Sequence, residues 1–165
     1  MDEQLLHKIN DYYSKATDLE KKTFEQVING LIRKQEKPSS SYLGELLQVQ
    51  SNFVDNQLEM IIPNTEIIQN SLNIVHGGIT ATLIDSAMGS LIFKLLPNHQ
   101  AAVTTELKIN YLAPGLGSFI KCIASLIHKG SNLIVTEAKV YREDGKLMAH
   151  ATGSFFIIKR KHELK

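Results

Sequence analysis

Two hydrophobic periods divide the chain, with the change near residue 41. Phe24, Val27, Ile28, Leu31 and Ile32 recur at steps of three and four, the apolar stripe of a helix. Thr17 and Glu20 stand at the spacing of a capping box and predict where that helix starts. Pro38 disfavours helical backbone in the residue before it, so the helix is expected to stop short of it. Residues 2–36 are rich in Glu, Lys, Gln and Leu, all good helix formers. We read 1–37 as a helical extension that packs on the rest, joined by the linker Pro38-Ser39-Ser40-Ser41.

Beyond Ser41 the pattern is that of strands around one helix. Residues 42–50 and 57–62 read as a hairpin, with Asn52, Asp55 and Asn56 near its turn. A loop over 63–73 leads to a helix over 78–95, closed by Pro97-Asn98. In 103–111, Val103, Thr105, Leu107, Ile109 and Tyr111 alternate with Thr104, Glu106, Lys108 and Asn110, which gives a strand with one polar face. Pro114-Gly115-Leu116-Gly117, Lys129-Gly130-Ser131-Asn132 and Glu143-Asp144-Gly145-Lys146 then punctuate strands at 118–128, 133–142 and 147–158. The pattern predicts an α+β fold whose last four strands form an antiparallel meander.

Composition narrows the function classes. A chain of 165 residues and 18.5 kDa holds one core, and 43% hydrophobic with 21% charged residues is ordinary for a globular protein. A net charge of +1 leaves no footprint for a nucleic acid. The single cysteine, Cys122, rules out a disulfide framework, and the six histidines are scattered, so no metal site is expected. The acidic, polar start Met1-Asp2-Glu3-Gln4 points to a cytoplasmic protein. The apolar run over 74–96 has a length that suits a membrane span, but it carries His76, Asp85 and Lys94, which fits a core helix better.

That run holds the candidate chemistry. Between Gly77 and Lys94 the one ionisable side chain is Asp85, among Ile79, Ala81, Leu83, Ile84, Ala87, Met88, Leu91, Ile92 and Phe93. Such residues surround a helical wheel, so the helix is expected to be buried nearly all round. A carboxylate there needs a partner, such as the hydroxyl of Thr82 or Ser86, or a water-accessible place where chemistry happens. Just upstream, Gly77-Gly78 lets a ligand approach the backbone closely, at the positive end of the helix dipole. An amide that polarises a carbonyl, on the same chain as a carboxylate, suits hydrolysis.

The run His76-Gly77-Gly78-Ile79-Thr80-Ala81-Thr82-Leu83-Ile84-Asp85-Ser86-Ala87-Met88-Gly89 resembles the signature of hotdog-fold acyl-CoA thioesterases of the PaaI-like group. Ile109-Asn110-Tyr111-Leu112-Ala113-Pro114, His128-Lys129-Gly130 and 149–155 are similar to that family's later strands, so the resemblance spans about 42–158. It implies a sheet wrapped around the long helix, and a homodimer or dimer of dimers with its sites at the subunit interface. It also implies roles: Asp85 as general base or nucleophile, the Gly77 N–H on the thioester oxygen, Asn70 positioning the thioester, and Thr104 assisting the water. His76 joins this set. Coenzyme A enters as part of the substrate, and no other cofactor is implied.

For the CoA moiety, Gly78, Tyr111, Leu112, Ala113, Pro114 and Gly115 can offer ring and backbone contacts to the pantetheine arm. His128, Lys129, Gly130, Ser131 and Asn132 can offer a cation and turn amides to its phosphates. The basic tail over 159–165, with Lys159, Arg160 and Lys161, is a further candidate. Phe53, Met88 and Tyr111 are candidates for the border of the acyl pocket. Two alternatives remain: a hotdog protein that binds acyl-CoA without turning it over, and a hydratase, for which His76 alone is available to pair with an acid.

Overall fold

The computed structural model describes residues 2–160, so Lys161 and the rest of the basic tail lie outside the described residues. Two compact units divide at Gln48/Val49. In the first, α1 (Glu3–Lys15) starts at the cap Asp2, and α2 (Asp18–Glu36) starts at Thr17 with the capping box formed in full. The rings of Tyr12 and Tyr13 pack on Phe24, joining α1 to α2. Residues 42–50, expected as a strand, instead begin with α3 (Tyr42–Leu46), capped by Ser41, whose hydroxyl accepts the Gly44 N–H at 2.9 Å. Gly30 of α2 lets α3 come close: a Cβ there would stand 3.0 Å from the Leu46 side chain. Arg33 ties the two helices together by donating to the Glu45 carbonyl at 2.8 Å.

The second unit is one six-stranded antiparallel sheet and one long helix. Strands β1 (Gln50–Val54) and β2 (Gln57–Pro63) form the predicted hairpin in a later register. Asp55 and Asn56 make its two-residue turn with φ of 51° and 59°. That turn fixes which residues face Gln57 to Ile61, and they are 50–54 rather than 42–50. Helix α4 (Gly77–Leu95) follows, then β3 (Gln100–Tyr111), β4 (Phe119–Lys129), β5 (Leu133–Arg142) and β6 (Leu147–Lys159). The order across the sheet is β1-β2-β4-β5-β6-β3.

Three of the last four strands make the meander, and β3 does not join it at β4. It pairs with β6 along the far edge, so α4 carries the chain across the whole inner face between β2 and β3. The segment after β3 is a crossing and not a hairpin turn. Leu112 and Ala113 donate to the Met148 carbonyl, Val75 donates to that of Gly115, and Asn64 donates to that of Ser118.

The core lies between α4 and the inner sheet face. Leu83, Ile84, Met88, Leu91 and Ile92 of α4 meet Ile62, Ile120, Ile134, Val140 and Phe155, all at most 2% exposed. Each such side chain contributes about 1.5–3 kcal/mol on burial. Met88, a candidate for the acyl pocket border, is fully buried here, and its sulfur would stand 2.9 Å from a Cβ at Gly153. Cys122 is also in this layer, and burial pushes its thiol up to about 12, which removes it as a nucleophile at neutral pH.

The expectation that α4 is buried all round fails on one side. Gly78 and Phe93 are exposed, and Ala81, Thr82, Asp85, Ser86 and Gly89 are half-buried. These positions follow the helical step and form an open stripe made mostly of small residues.

The crossing after β3 depends on Gly115. It is buried, and a Cβ on it would stand 2.7 Å from the Val75 Cβ and 3.0 Å from the Met148 methyl. Gly115→Ala is expected to cost about 1–3 kcal/mol through overpacking. The measurement is a fall in the urea midpoint at unchanged m-value.

Candidate functional site

The first turn of α4 sets the site. Residues 69–76 fold back on themselves: Gln69 bridges to Val75, and the Asn70 N–H donates to the Ile74 carbonyl at 2.9 Å. The Asn70 Oδ1 accepts the Leu72 N–H at 2.9 Å, and Asn73 takes the left-handed φ of 56° that closes the loop. The Asn70 Nδ2 has no acceptor among the described residues. The loop delivers His76 as the helix cap, in extended backbone with φ −63° and ψ 134°.

Four amides open any helix without an intrahelical acceptor, and here three of them are satisfied. The His76 N–H donates to the Ile68 carbonyl at 2.8 Å, and the Gly78 N–H donates to His76 Nδ1 at 2.9 Å. The Ile79 N–H donates to the His76 carbonyl at 3.0 Å, as does that of Thr80 at 3.1 Å. Among the described residues, the Gly77 N–H has no acceptor. It shares a planar peptide with the His76 carbonyl and points the opposite way. Since that carbonyl is aimed into the helix, the Gly77 N–H is aimed out of its mouth, where the helix dipole adds to its pull on an oxygen.

Gly77 has ordinary right-handed helical backbone, and a Cβ on it would lie 3.6 Å from the nearest atoms, those of the Tyr111 ring. The packing within the chain therefore gives no reason for a glycine at this position.

Asp85 stands two turns further on. Its Oδ1 accepts the Thr104 hydroxyl at 2.8 Å, and its other oxygen has no partner among the described residues. The anticipated local partner Thr82 instead returns its hydroxyl to the Gly78 carbonyl at 3.0 Å. Asp85 is half-buried and Thr104 exposed, so the pair faces outward along the open stripe of α4.

Strict alternation puts Thr104 on the face of β3 opposite to Tyr111, yet both reach α4. A bulge between Thr104 and Glu106 shifts the register by one residue, and the side chain of the extra residue, Thr105, donates to the Ser154 carbonyl at 3.0 Å. The bulge puts Thr104 on the helix face together with Tyr111, whose hydroxyl donates to the Gly77 carbonyl at 2.9 Å.

The remaining candidates divide between the two ends of α4. Tyr111 to Gly115 lie at its N-terminal end, but the amides of Leu112 and Ala113 are already spent on Met148, and Pro114 has none. The turn after β4 lies at the C-terminal end. There Lys129 donates to the Leu95 carbonyl at 2.7 Å, satisfying an open carbonyl of the last helical turn. The Gly130 N–H closes the turn on the Leu133 carbonyl at 2.8 Å, while His128 and Ser131 are exposed beside it. A helix of this length spans about 28 Å, so the two groups of candidates lie at opposite ends of it within one chain. Arg160 stacks over the Phe93 ring at 5.1 Å. Two surface clefts, of about 320 Å³ around Tyr12 and about 270 Å³ around Gln57, involve neither Asp85 nor Gly77.

Residues 72–149, which include all of α4 and its contacts with β3, match the thioesterase superfamily. The chain is 36% identical over 104 residues to an esterase candidate of Saccharolobus solfataricus, covering 63% of this chain and 74% of that one. The chain belongs to the thioesterase superfamily. It is a thioester hydrolase of the α+β hotdog fold. A Bacillus halodurans protein whose crystal structure holds CoA has a TM-score of 0.86 at 41% identity, over 93% of this chain and 99% of that one. The medium/long-chain acyl-CoA thioesterase YigI of Escherichia coli is 26% identical over 98 residues, covering 52% of this chain and 63% of YigI. A Haemophilus influenzae thioesterase shares the fold at 17% identity, with a TM-score of 0.72 over 81% and 94% of the two chains.

In this thioesterase the sequence motif located α4 and its first turn. It carried no signal for the bonds that spend three of the four opening amides, nor for the hydroxyl of Tyr111 on Gly77. Gly77→Ala is expected to fold and to gain up to about 1 kcal/mol of stability, because alanine is the better helix former and meets no clash. Its activity is expected to fall about 10²-fold if the methyl keeps substrate off the amide. Thermal melting and turnover measured on one preparation check both.

Proposed function

We propose that this thioesterase hydrolyses an acyl-CoA at a site shared by two copies of the chain. The observation that carries this reading is the backbone N–H of Gly77, left without an acceptor among the described residues at the mouth of α4, in a chain that also presents an outward-facing carboxylate. A thioester carbonyl seated on the Gly77 N–H explains the glycine, since a methyl there would crowd the substrate while clashing with nothing in the chain. The CoA in the Bacillus halodurans relative and the acyl-CoA activity named for YigI support the substrate class.

Helix geometry supports the shared site. Asp85 follows Gly77 by eight residues, which separates them by about 12 Å along the axis. An oxyanion donor must lie about 3 Å from the carbonyl oxygen, and a general base must lie about 3 Å from the water that attacks the same carbonyl. The proposed site therefore takes Gly77 from one copy and Asp85 from another, in two copies paired edge to edge. β3 is the free edge that lies beside Asp85. The same pairing brings the N-terminal end of one α4 toward the other copy, so that the His128 to Ser131 turn can serve a CoA held at the first copy's Leu112 to Gly115. Two such dimers can assemble further.

In the reaction, the Asp85 carboxylate takes a proton from water, with Thr104 holding one oxygen so that the other faces the water. The water oxygen attacks the thioester carbon, and the oxyanion that forms is stabilised by the Gly77 N–H, with Asn70 Nδ2 as a second donor. Collapse breaks the carbon–sulfur bond, and the proton on Asp85 passes to the leaving thiolate. Free acid and CoA leave, and the carboxylate is restored. General-base help of this kind is worth about 10²–10⁴-fold.

The test is release of free thiol from short, long and aromatic acyl-CoAs. The protein as it stands is expected to release CoA, and Asp85→Asn to keep its melting temperature while losing at least about 10²-fold in turnover. Tight binding of every acyl-CoA without release would instead identify a non-catalytic binding protein, and an active Asp85→Asn would remove the base.

A further inference from the structure

We propose that Tyr111 is a positioning residue: with His76 it clamps the Gly77–Gly78 peptide at both ends and so fixes the aim of the Gly77 N–H. The inference rests on the reading above, in which that N–H holds the thioester oxygen, and it assigns Tyr111 a different task from the CoA contact its sequence position suggests.

The two bonds act on one peptide plane. Its carbonyl, on Gly77, accepts the Tyr111 hydroxyl at 2.9 Å, and its N–H, on Gly78, donates to His76 Nδ1 at 2.9 Å. One arm comes from the end of β3 and the other from the helix cap, so the plane cannot rotate without losing both. The Tyr111 ring adds a lateral stop, lying 3.6 Å from where a Gly77 Cβ would be.

Such a clamp is needed here. Helix ends fray, and two glycines in the first two helical positions are the softest start a helix can have, since each lacks the Cβ that restricts its backbone. When the first turn opens, Ile79 and Thr80 release the His76 carbonyl, and the Gly77 N–H on the same peptide swings away from its direction. An oxyanion donor acts through preorganisation, so the loss appears in the transition state and not in ground-state binding. The bulge in β3 puts the hydroxyl of Thr104 on the same face as that of Tyr111. One face of β3 therefore serves the carboxylate of α4 at one point and its opening amide at another.

Tyr111→Phe removes the hydroxyl and keeps the ring. It is expected to lower kcat on an acyl-CoA about tenfold with KM within about twofold, the size of one lost hydrogen bond. Exchange of the Gly78 amide with solvent, followed by NMR, is expected to speed up several-fold. A raised KM at unchanged kcat would make Tyr111 a substrate contact and overturn the proposal, as would no change in kcat. At the other arm, His76→Ala is expected to lose activity, and His76→Asn, which keeps a capping acceptor, to recover at least tenfold over His76→Ala. A folded but inactive His76→Asn would give the imidazole a proton-transfer role and also sink the clamp. Should the unaltered protein hydrolyse no acyl-CoA, the functional reading fails by itself. The clamp is then judged by the Gly78 amide, whose unchanged exchange in Tyr111→Phe would refute it.

Discussion

The fixed rise of an α-helix governs this molecule. Gly77 and Asp85 belong to one rigid element, and about 12 Å of axis separate the amide from the carboxylate. No rearrangement of side chains closes that gap, because both groups are tied to a helix whose other face is locked into the sheet by Leu83, Ile84, Met88, Leu91 and Ile92. On the proposed reading a second copy is therefore a chemical requirement. The open stripe of α4 and the free edge at β3 are then the parts of the fold that the first copy leaves for it.

Around that helix the chain satisfies almost every polar group at the mouth. The loop from Asn70 to Val75 brings in the cap, His76 uses its ring and both its backbone groups, and Gly115 admits Val75 at a distance no Cβ would allow. Among the described residues, what remains there is the Gly77 backbone N–H, with a defined direction, and the side-chain amide of Asn70. Satisfaction of the neighbouring amides is what gives that N–H its chemical meaning, since it leaves one backbone donor of the first turn to select a place for a carbonyl oxygen.

The parts of the fold legible in the sequence are those that depend on local chemistry. The capping box at Thr17 and Glu20, the long apolar helix, the Asp144-Gly145 turn and the strand over 133–142 are short-range patterns, and the structure contains each of them. The parts that were not legible depend on distant partners. Residues 42–46 form a helix because Ser41 caps them and Gly30 admits Leu46, which no periodicity reveals. The place of β3 beside β6 follows from a crossing held by Met148, and it escapes any count of strands. The face of Thr104 is the sharpest case: alternation points it away from the helix, and a bulge reverses that. Lys129, read as a phosphate contact, donates to the end of α4, because the helix leaves carbonyls there that a nearby cation can satisfy. Resemblance to a family located Asp85, Gly77 and Thr104 by position, and the geometry supplies what each touches.

The shared site is tested most directly by mixing two inactive chains. Gly77→Ala and Asp85→Asn protomers, unfolded together and refolded at equal amounts, form mixed dimers in which one site draws its amide and its carboxylate from unaltered positions. The account predicts that activity absent from either parent returns at about a quarter of the unaltered level, as random pairing requires for a two-fold dimer. A mixture as inactive as its parents, with mixed dimers demonstrated to form, would place both groups of each site on one chain and contradict the account.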